Sequence, residues 1–370
     1  MHTPVCDMFG IEYPIFAFSH CRDVVAAVSK AGGMGVLGAL AFTPEQLEIE
    51  LDWIDDNIDG KPYGVDVVIP AKYESRGDLD PDTMADKFAG MIPDEHKQWI
   101  EKVLAEHDVP PLTDADEQRS GLLGWTQEGA WPQVEIGLSH PAKLLVNALG
   151  PPPPEVVDYA HERDVKVAAL IGSKAHAERQ VAQGVDLIVA QGYEAGGHTG
   201  EVASMVLVPE VVDAVAPVPV LAAGGIGTGR QVAASMALGA EGVWTGSIWL
   251  TTAEGGTAPQ VLDKLLAANS RDTDRSRSWT GKPARMLRTE WTDAWEREDS
   301  PGYLPMPLQY MATNDAQRRI TKYQVEELVG MPVGQIVGRM DRVRPVREVM
   351  YDLVEEFIEA EQRLEGLVET

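Results

Sequence analysis

The chain is poor in cysteine. Cys6 and Cys21 are the only two in 370 residues, too few for a disulfide framework, and no cysteine or histidine spacing of a metal motif appears. Long apolar runs are missing too: none reaches the roughly 18 residues that a membrane-spanning helix needs. Positive charge is scarce. Lys and Arg number 31 against 58 Asp and Glu, a net charge of −27, which argues against nucleic acid or an anionic membrane surface as partner. It also disfavours a freely diffusing anionic substrate at long range, while its ordinary effect is solubility. The amino terminus is polar and acidic, without the basic region and apolar core of a secretion signal, so a cytoplasmic protein is expected. No internal repeat occurs beyond an alternation of strand-like and helix-like segments.

That alternation sets the fold class. Hydrophobic residues make up 44% and charged residues 24%, the balance of an ordinary globular protein. Short apolar runs near residues 14, 35, 64, 143, 165, 186, 218 and 242 alternate with helical patterns. Thr43-Pro44-Glu45-Gln46 is a helix start, with Thr at the cap and Pro in the first turn. Eight such units predict an α/β fold, a TIM (β/α)8 barrel, with a long insertion after strand 3 and a C-terminal helical extension. The expected division is 1–70 and 141–254 for the barrel and 71–140 for an insertion near the catalytic face. Residues 255–370 would form an extension that covers the site and ends in a helix over 341–367. The insertion could equally be an oligomer contact, and a homo-oligomer stays open. Arg271 to Arg277 reads as exposed, and His140, His161 and His176 as solvent-facing.

The chemistry gathers at three strand ends. Gln191 to Gly200 follows a buried apolar run and holds four glycines in ten residues around one imidazole, His198. Histidine is the side chain that exchanges a proton near neutral pH without a large shift. The next strand ends in Ala223-Gly224-Gly225-Ile226-Gly227 and opens a helix, and the last ends in Thr245-Gly246-Ser247. Successive glycine-rich strand ends provide backbone donors suited to a phosphate. Gly227-Thr228-Gly229 does not continue into a dinucleotide fingerprint.

Gly-Tyr-Glu-Ala-Gly-Gly-His, Ala-Ala-Gly-Gly-Ile-Gly and Trp-Thr-Gly-Ser at this spacing resemble the nitronate monooxygenase family, formerly called 2-nitropropane dioxygenases. The likeness covers roughly the first 70 residues and 140 to 290, with a weaker echo at Gly334-Gln335. It implies a TIM barrel that binds FMN, and its relatives include flavin-dependent enoyl and quinone reductases. By this resemblance Gly224, Gly225, Gly227, Thr245, Gly246 and Ser247 form the phosphate cradle, joined by Gly196 and Gly197. Gln191 would face the flavin ring, and His198 would take a proton from the carbon beside a nitro group. Thr280 to Arg285 resembles a further family segment.

Two strand ends depart from the family. Where members usually carry Gln-Ala-Pro-Met, this chain has Ala17-Phe18-Ser19-His20. Phe18 and Ser19 would meet the flavin through their backbone, and His20 is either an added acid or a tolerated replacement. Asp66 stands where the family often has an asparagine, and can donate a hydrogen bond only when protonated. The expected activity is oxidation of alkyl nitronates or nitroalkanes with O2 to a carbonyl compound and nitrite. The alternative is NAD(P)H-dependent reduction of a quinone or activated C=C bond, with NAD(P)H as transient co-substrate and His198 or His20 as proton donor. A flavin-binding scaffold without turnover is a third reading.

Overall fold

The computed structural model describes residues 1–69, 88–113, 127–148 and 150–368. Eight parallel strands close into a barrel: β1 (Ile15–Ser19), β2 (Met34–Gly38), β3 (Tyr63–Val67), β4 (Leu144–Asn147), β5 (Lys166–Ile171), β6 (Leu187–Gln191), β8 (Val220–Ala223) and β9 (Gly242–Thr245). A two-residue strand, β7 (Gly197–His198), leaves the barrel after β6 and pairs elsewhere. Closure comes from β1, which pairs with β2 on one side and β9 on the other.

Side-chain alternation divides the apolar residues between two faces. Phe16, Met34, Val36, Leu144, Val146, Leu187, Val189, Leu221 and Trp244 form the inner core. Their neighbours, such as Val65, Val67, Ile188 and Val243, join the outer core beneath the helices. The N-terminal helix Pro4–Phe9 supplies Val5, Cys6 and Phe9 to the inner core, with the Phe9 ring edge-on to Phe16. The predicted start at Thr43 is a full capping box, its hydroxyl accepting from Gln46 N and the Gln46 side chain accepting from Thr43 N.

A second apolar core lies outside this pattern. The helix Asp94–Glu106 supplies Trp99, Ile100, Val103 and Leu104, which pack with Trp291, Trp295, Ala316 and Ile320 from much later in the chain. The buried Arg319 guanidinium bonds Val109 O, Pro110 O and Glu101, fixing the helix Leu308–Tyr323 to this segment. Residues 70–87 and 114–126, the rest of the expected insertion, lie outside the described residues.

Several local expectations change. Arg271–Arg277 is not a free exposed stretch: its Thr273–Ser276 forms β10, antiparallel to β11 (Ala284–Leu287), with Thr273 and Ser276 buried. The helix before β8 begins at Ser204 rather than near Pro209, because Glu194 accepts from Ser204 N and Oγ at its first turn. His140 is not solvent-facing, its side chain being 8% exposed between carboxylates, whereas His176 is exposed. His161 is exposed as expected, at 39%, and bonds Asp186 at 2.7 Å.

The last helix, Val346–Val368, packs on the barrel helices Gly229–Ala237 and Arg22–Lys30 through Val346, Met350 and Leu353. It begins at Val346, after Pro345, rather than at 341. Gly229 makes the closest approach: a Cβ there would lie 2.2 Å from Phe357 N and 2.4 Å from Leu353 O. Its N–H donates to Glu356 Oε2 at 2.9 Å, a carboxylate at a helix N-terminus where the dipole favours it. Gly229→Ala should therefore push two helices apart, at a cost of about 1–3 kcal/mol. Thermal unfolding would read this as a Tm lower by a few degrees, whereas an unchanged Tm would mean the two helices do not meet there.

Candidate active site

The C-terminal strand ends bring residues distant in sequence to one mouth. Tyr63, Val65 and Val67 point outward into the shell, so Asp66 alternates inward. By the same alternation Phe18, Gln191 and Trp244 line the inside, with the Phe18 and Trp244 rings stacked at 6.2 Å. Asp66 is 4% exposed, and its Oδ1 is buried without a hydrogen-bond partner. Burial pushes its carboxyl well above the usual carboxylate range, so the neutral acid is the favoured form. In that form it can donate as well as accept, as an asparagine would.

The glycines separate into two groups. Gly224 and Gly225 adopt left-handed backbone at φ 99° and 71°. Gly197 is also left-handed, and a Cβ there would meet nothing within 4 Å. At Gly246 the nearest atom to such a Cβ would be Phe18 Cδ1 at 4.0 Å, so protein packing does not require glycine at that position. Gly196 and Gly227 are different. A Cβ on Gly196 would reach Gly334 N at 2.8 Å, and one on Gly227 would reach Ile336 Cγ1 at 2.6 Å.

The Gly227 N–H donates to Gln231 Oε1 at 3.0 Å, so the expectation of a free phosphate donor is not met there. Nor is the Thr245 hydroxyl free: it donates to Phe16 O at 2.9 Å and accepts from Trp249 Nε1 at 3.0 Å. Ser247 Oγ accepts from Gly334 N at 2.8 Å, and Gln335 N donates to Glu194 O at 2.9 Å. The chain around Gly334 is thereby laid across the mouth. Ser19 Oγ accepts from Cys21 N at 3.0 Å, and Gln191 Nε2 donates to Gly196 O at 3.4 Å.

His20 folds over Gly38, with Nδ1 2.9 Å from Gly38 O and its ring edge-on to Phe18. A carbonyl can only accept, so Nδ1 carries the hydrogen and Nε2 is bare. Packing lowers its pKa, which favours the neutral ring over a cationic proton donor.

His198 lies on β7, which pairs with β11 through Ala284 and so hangs from the hairpin β10–β11. Its Nε2 is 2.8 Å from Thr280 Oγ1, and Thr280 Oγ1 in turn donates to Lys282 O at 3.3 Å. When the threonine hydrogen goes to Lys282 O, Nε2–H is the donor to Thr280 and Nδ1 is left as the basic nitrogen. The packed protein around the ring and the Lys282 ammonium push the His198 pKa down to about 4. The residue still has an exposed face, so solvent opposes that shift.

The residues that hold this loop carried no motif. Arg285, 3% exposed, donates from Nε and Nη2 to Tyr193 O at 3.2 Å and from Nη1 to Thr273 Oγ1. The Arg275 and Arg285 guanidinium groups each lie 4.7 Å from the Tyr193 ring. The resemblance of Thr280–Arg285 to a family segment was the one signal that could have pointed there. Beside Thr280 lies a cavity of about 740 Å³ lined by Trp279, Tyr310, Gln317 and Lys322, among others.

An inward neutral acid with an orphaned oxygen, an aromatic floor and two glycines opening on free space suit a flavin, and the residues present fit it. Fold and mouth together define a TIM-barrel flavoenzyme. The family model described as "Nitronate monooxygenase" matches residues 2–356, and the chain belongs to that family. It is a flavin-dependent oxidoreductase.

It is 55% identical to "Putative monooxygenase Rv1533" of Mycobacterium tuberculosis, over 100% of both chains. It is 28% identical to a "Probable nitronate monooxygenase" of Staphylococcus aureus (strain Newman), over 94% of this chain and 95% of the other. Among solved structures, FabK from Thermotoga maritima superposes with a TM-score of 0.76 at 26% identity, covering 99% of each chain. A nitroalkane oxidase from Streptomyces ansochromogenes gives 0.79 at 24% over 97% and 99%, which speaks to fold alone. Among the described residues, no helix is long and apolar enough to cross a membrane.

Asp66 offers a direct test. The folded protein keeps a proton there that a solvated carboxyl loses near pH ~4. The stability tied to the neutral acid is complete below that pH and lost as pH rises through the raised folded value. Asp66→Asn cannot ionise, so its Tm should gain on the wild type as pH is raised from about 4 toward neutrality. Parallel Tm profiles would mean that Asp66 titrates normally.

Proposed function

We propose that this enzyme binds FMN and oxidises alkyl nitronates and nitroalkanes with O2, giving a carbonyl compound and nitrite. The observation that carries the reading is the His198–Thr280 pair, which holds an imidazole shifted toward its neutral form in the Gly-Gly-His loop. The likeness to the probable nitronate monooxygenase of Staphylococcus aureus supports the same chemistry. FMN, when bound, supplies the electron transfer from substrate to oxygen.

The chain's own residues prepare that transfer. His198 Nδ1 takes the proton from the carbon beside the nitro group, and Thr280 fixes the tautomer and the ring orientation. Lys282 helps to keep the imidazole neutral. Gly197, Gly224, Gly225, Gly246 and Ser247 hold the cofactor by close backbone approach, while Phe18, Asp66 and Gln191 face its ring. The low charge of the mouth and its aromatic floor limit water around the reacting carbon.

A second reading, NAD(P)H-dependent reduction of a quinone or an activated C=C bond, is favoured by one observation. The cavity of about 740 Å³ beside Thr280 is larger than a small nitroalkane needs and within the size range of sites for drug-sized ligands.

The two substrate forms separate the roles. His198→Asn should lower turnover of neutral nitroethane at least about a hundredfold, with flavin content unchanged. Turnover of preformed propyl-2-nitronate, already deprotonated, should be largely kept. Equal loss on both, or on neither, would remove His198 as the base. For nitroethane, kcat/KM should fall on the acid side as His198 gains a proton, with the midpoint below the usual ~6.5. Lys282→Gln removes a repelling charge and should move that midpoint upward; an unmoved acid limb would contradict this electrostatic role.

A further inference from the structure

Away from the mouth, three side chains converge on the outside of the barrel. Glu48 and Asp52 stand one turn apart on the helix Pro44–Asn57, and His140 follows the helix Gln127–Ser139 just before β4. One ligating atom from each lies within 4.8 Å of the other two. The His140 side chain is 8% exposed, and its Nε2 is buried without a hydrogen bond. Its other nitrogen, Nδ1, lies 2.7 Å from Asp55 Oδ2, and Asp55 Oδ1 also accepts from Tyr63 OH at 2.7 Å.

This arrangement orients a lone pair. Asp55 takes the Nδ1 hydrogen, so the bare Nε2 is turned toward Glu48 and Asp52, whose oxygens are also electron-rich. Three electron-pair donors facing one another favour a cation between them, a proton or a metal ion. A proton on Nε2 would be expected to shorten the contact to hydrogen-bond length, yet Nε2 and Glu48 Oε2 are 3.6 Å apart. Two ligands at about 2.1 Å from one tetrahedral ion lie about 3.4 Å from each other. The carboxylate behind the imidazole is the partner that metal-bound histidines regularly have.

We propose that Glu48, Asp52 and His140 bind one divalent cation, with Zn2+ best suited to a mixed imidazole and carboxylate set. Asp55 is the orienting partner of His140. The ion clamps the helix that follows β2 to the helix that precedes β4, which returns the chain to the barrel after the long segment from 70. It is a structural site, distant from the flavin-binding strand ends, and owes nothing to the reading of the enzyme's substrate. The sequence shows no motif here because His140 comes from far along the chain.

The test uses the tag-free, flavin-loaded protein, freed of metal with a chelator and titrated with zinc chloride. One Zn2+ per chain should bind, with Tm rising by several degrees at saturating metal. Glu48→Gln with Asp52→Asn, both on an exposed helix face, should weaken binding at least about tenfold and abolish the rise in Tm. Visible flavin absorbance should be the same in both proteins. A Tm indifferent to zinc, or equal zinc binding and stabilisation in the double variant, would overturn the site.

Discussion

Closure of the barrel between β1 and β9 is the constraint on which the rest depends. It joins the start of the chain to a strand more than two hundred residues later. Phe16 and Trp244 stack across the seam, and the Thr245 hydroxyl ties it to Phe16 O. This closure places Phe18 beneath Gly246 and sets Asp66 and Gln191 around the same opening. A polar side chain inside β9 is thus used to complete the sheet rather than to touch a ligand. That accounts for the burial of the Thr245 side chain, which the resemblance had put in the phosphate cradle.

The mouth is notable for groups held uncharged. Asp66 is shifted toward the neutral acid, and His20 and His198 toward neutral imidazole, in a chain whose net charge is −27. Each shift begins with desolvation, and Lys282 adds to that of His198. A neutral, partly apolar opening can accept a flat aromatic cofactor without stripping water from several ions. It also leaves His198 able to accept a proton well below neutral pH. The acidity of the protein as a whole says little about this site, since distant surface charge is screened by salt.

Much of the fold was legible because strand and helix periods alternate cleanly from Ile15 to Val67 and again from Leu144 to Thr245. The glycine-rich strand ends were legible as a family likeness. Their individual reasons were not. Gly227 is glycine because Ile336 packs on it, and Gly229 because the last helix touches it backbone to backbone. Both partners come from beyond residue 330, so no local pattern could reveal them. Arg285, Tyr193 and Thr280 escaped for the same reason: they act through contacts between the loop after β6 and the hairpin β10–β11. The burial of the helix Asp94–Glu106 against Trp291 and Trp295 likewise depends on tertiary packing.

The central claim is that substrate electrons come from a nitronate and need no pyridine nucleotide. Anaerobic stopped-flow absorbance of the flavin-loaded protein tests it, with propyl-2-nitronate, NADH and NADPH mixed in separately. The account predicts a rapid change in the visible flavin band with the nitronate alone. Bleaching by NADH or NADPH, with no response to the nitronate, would contradict it and make the enzyme a reductase.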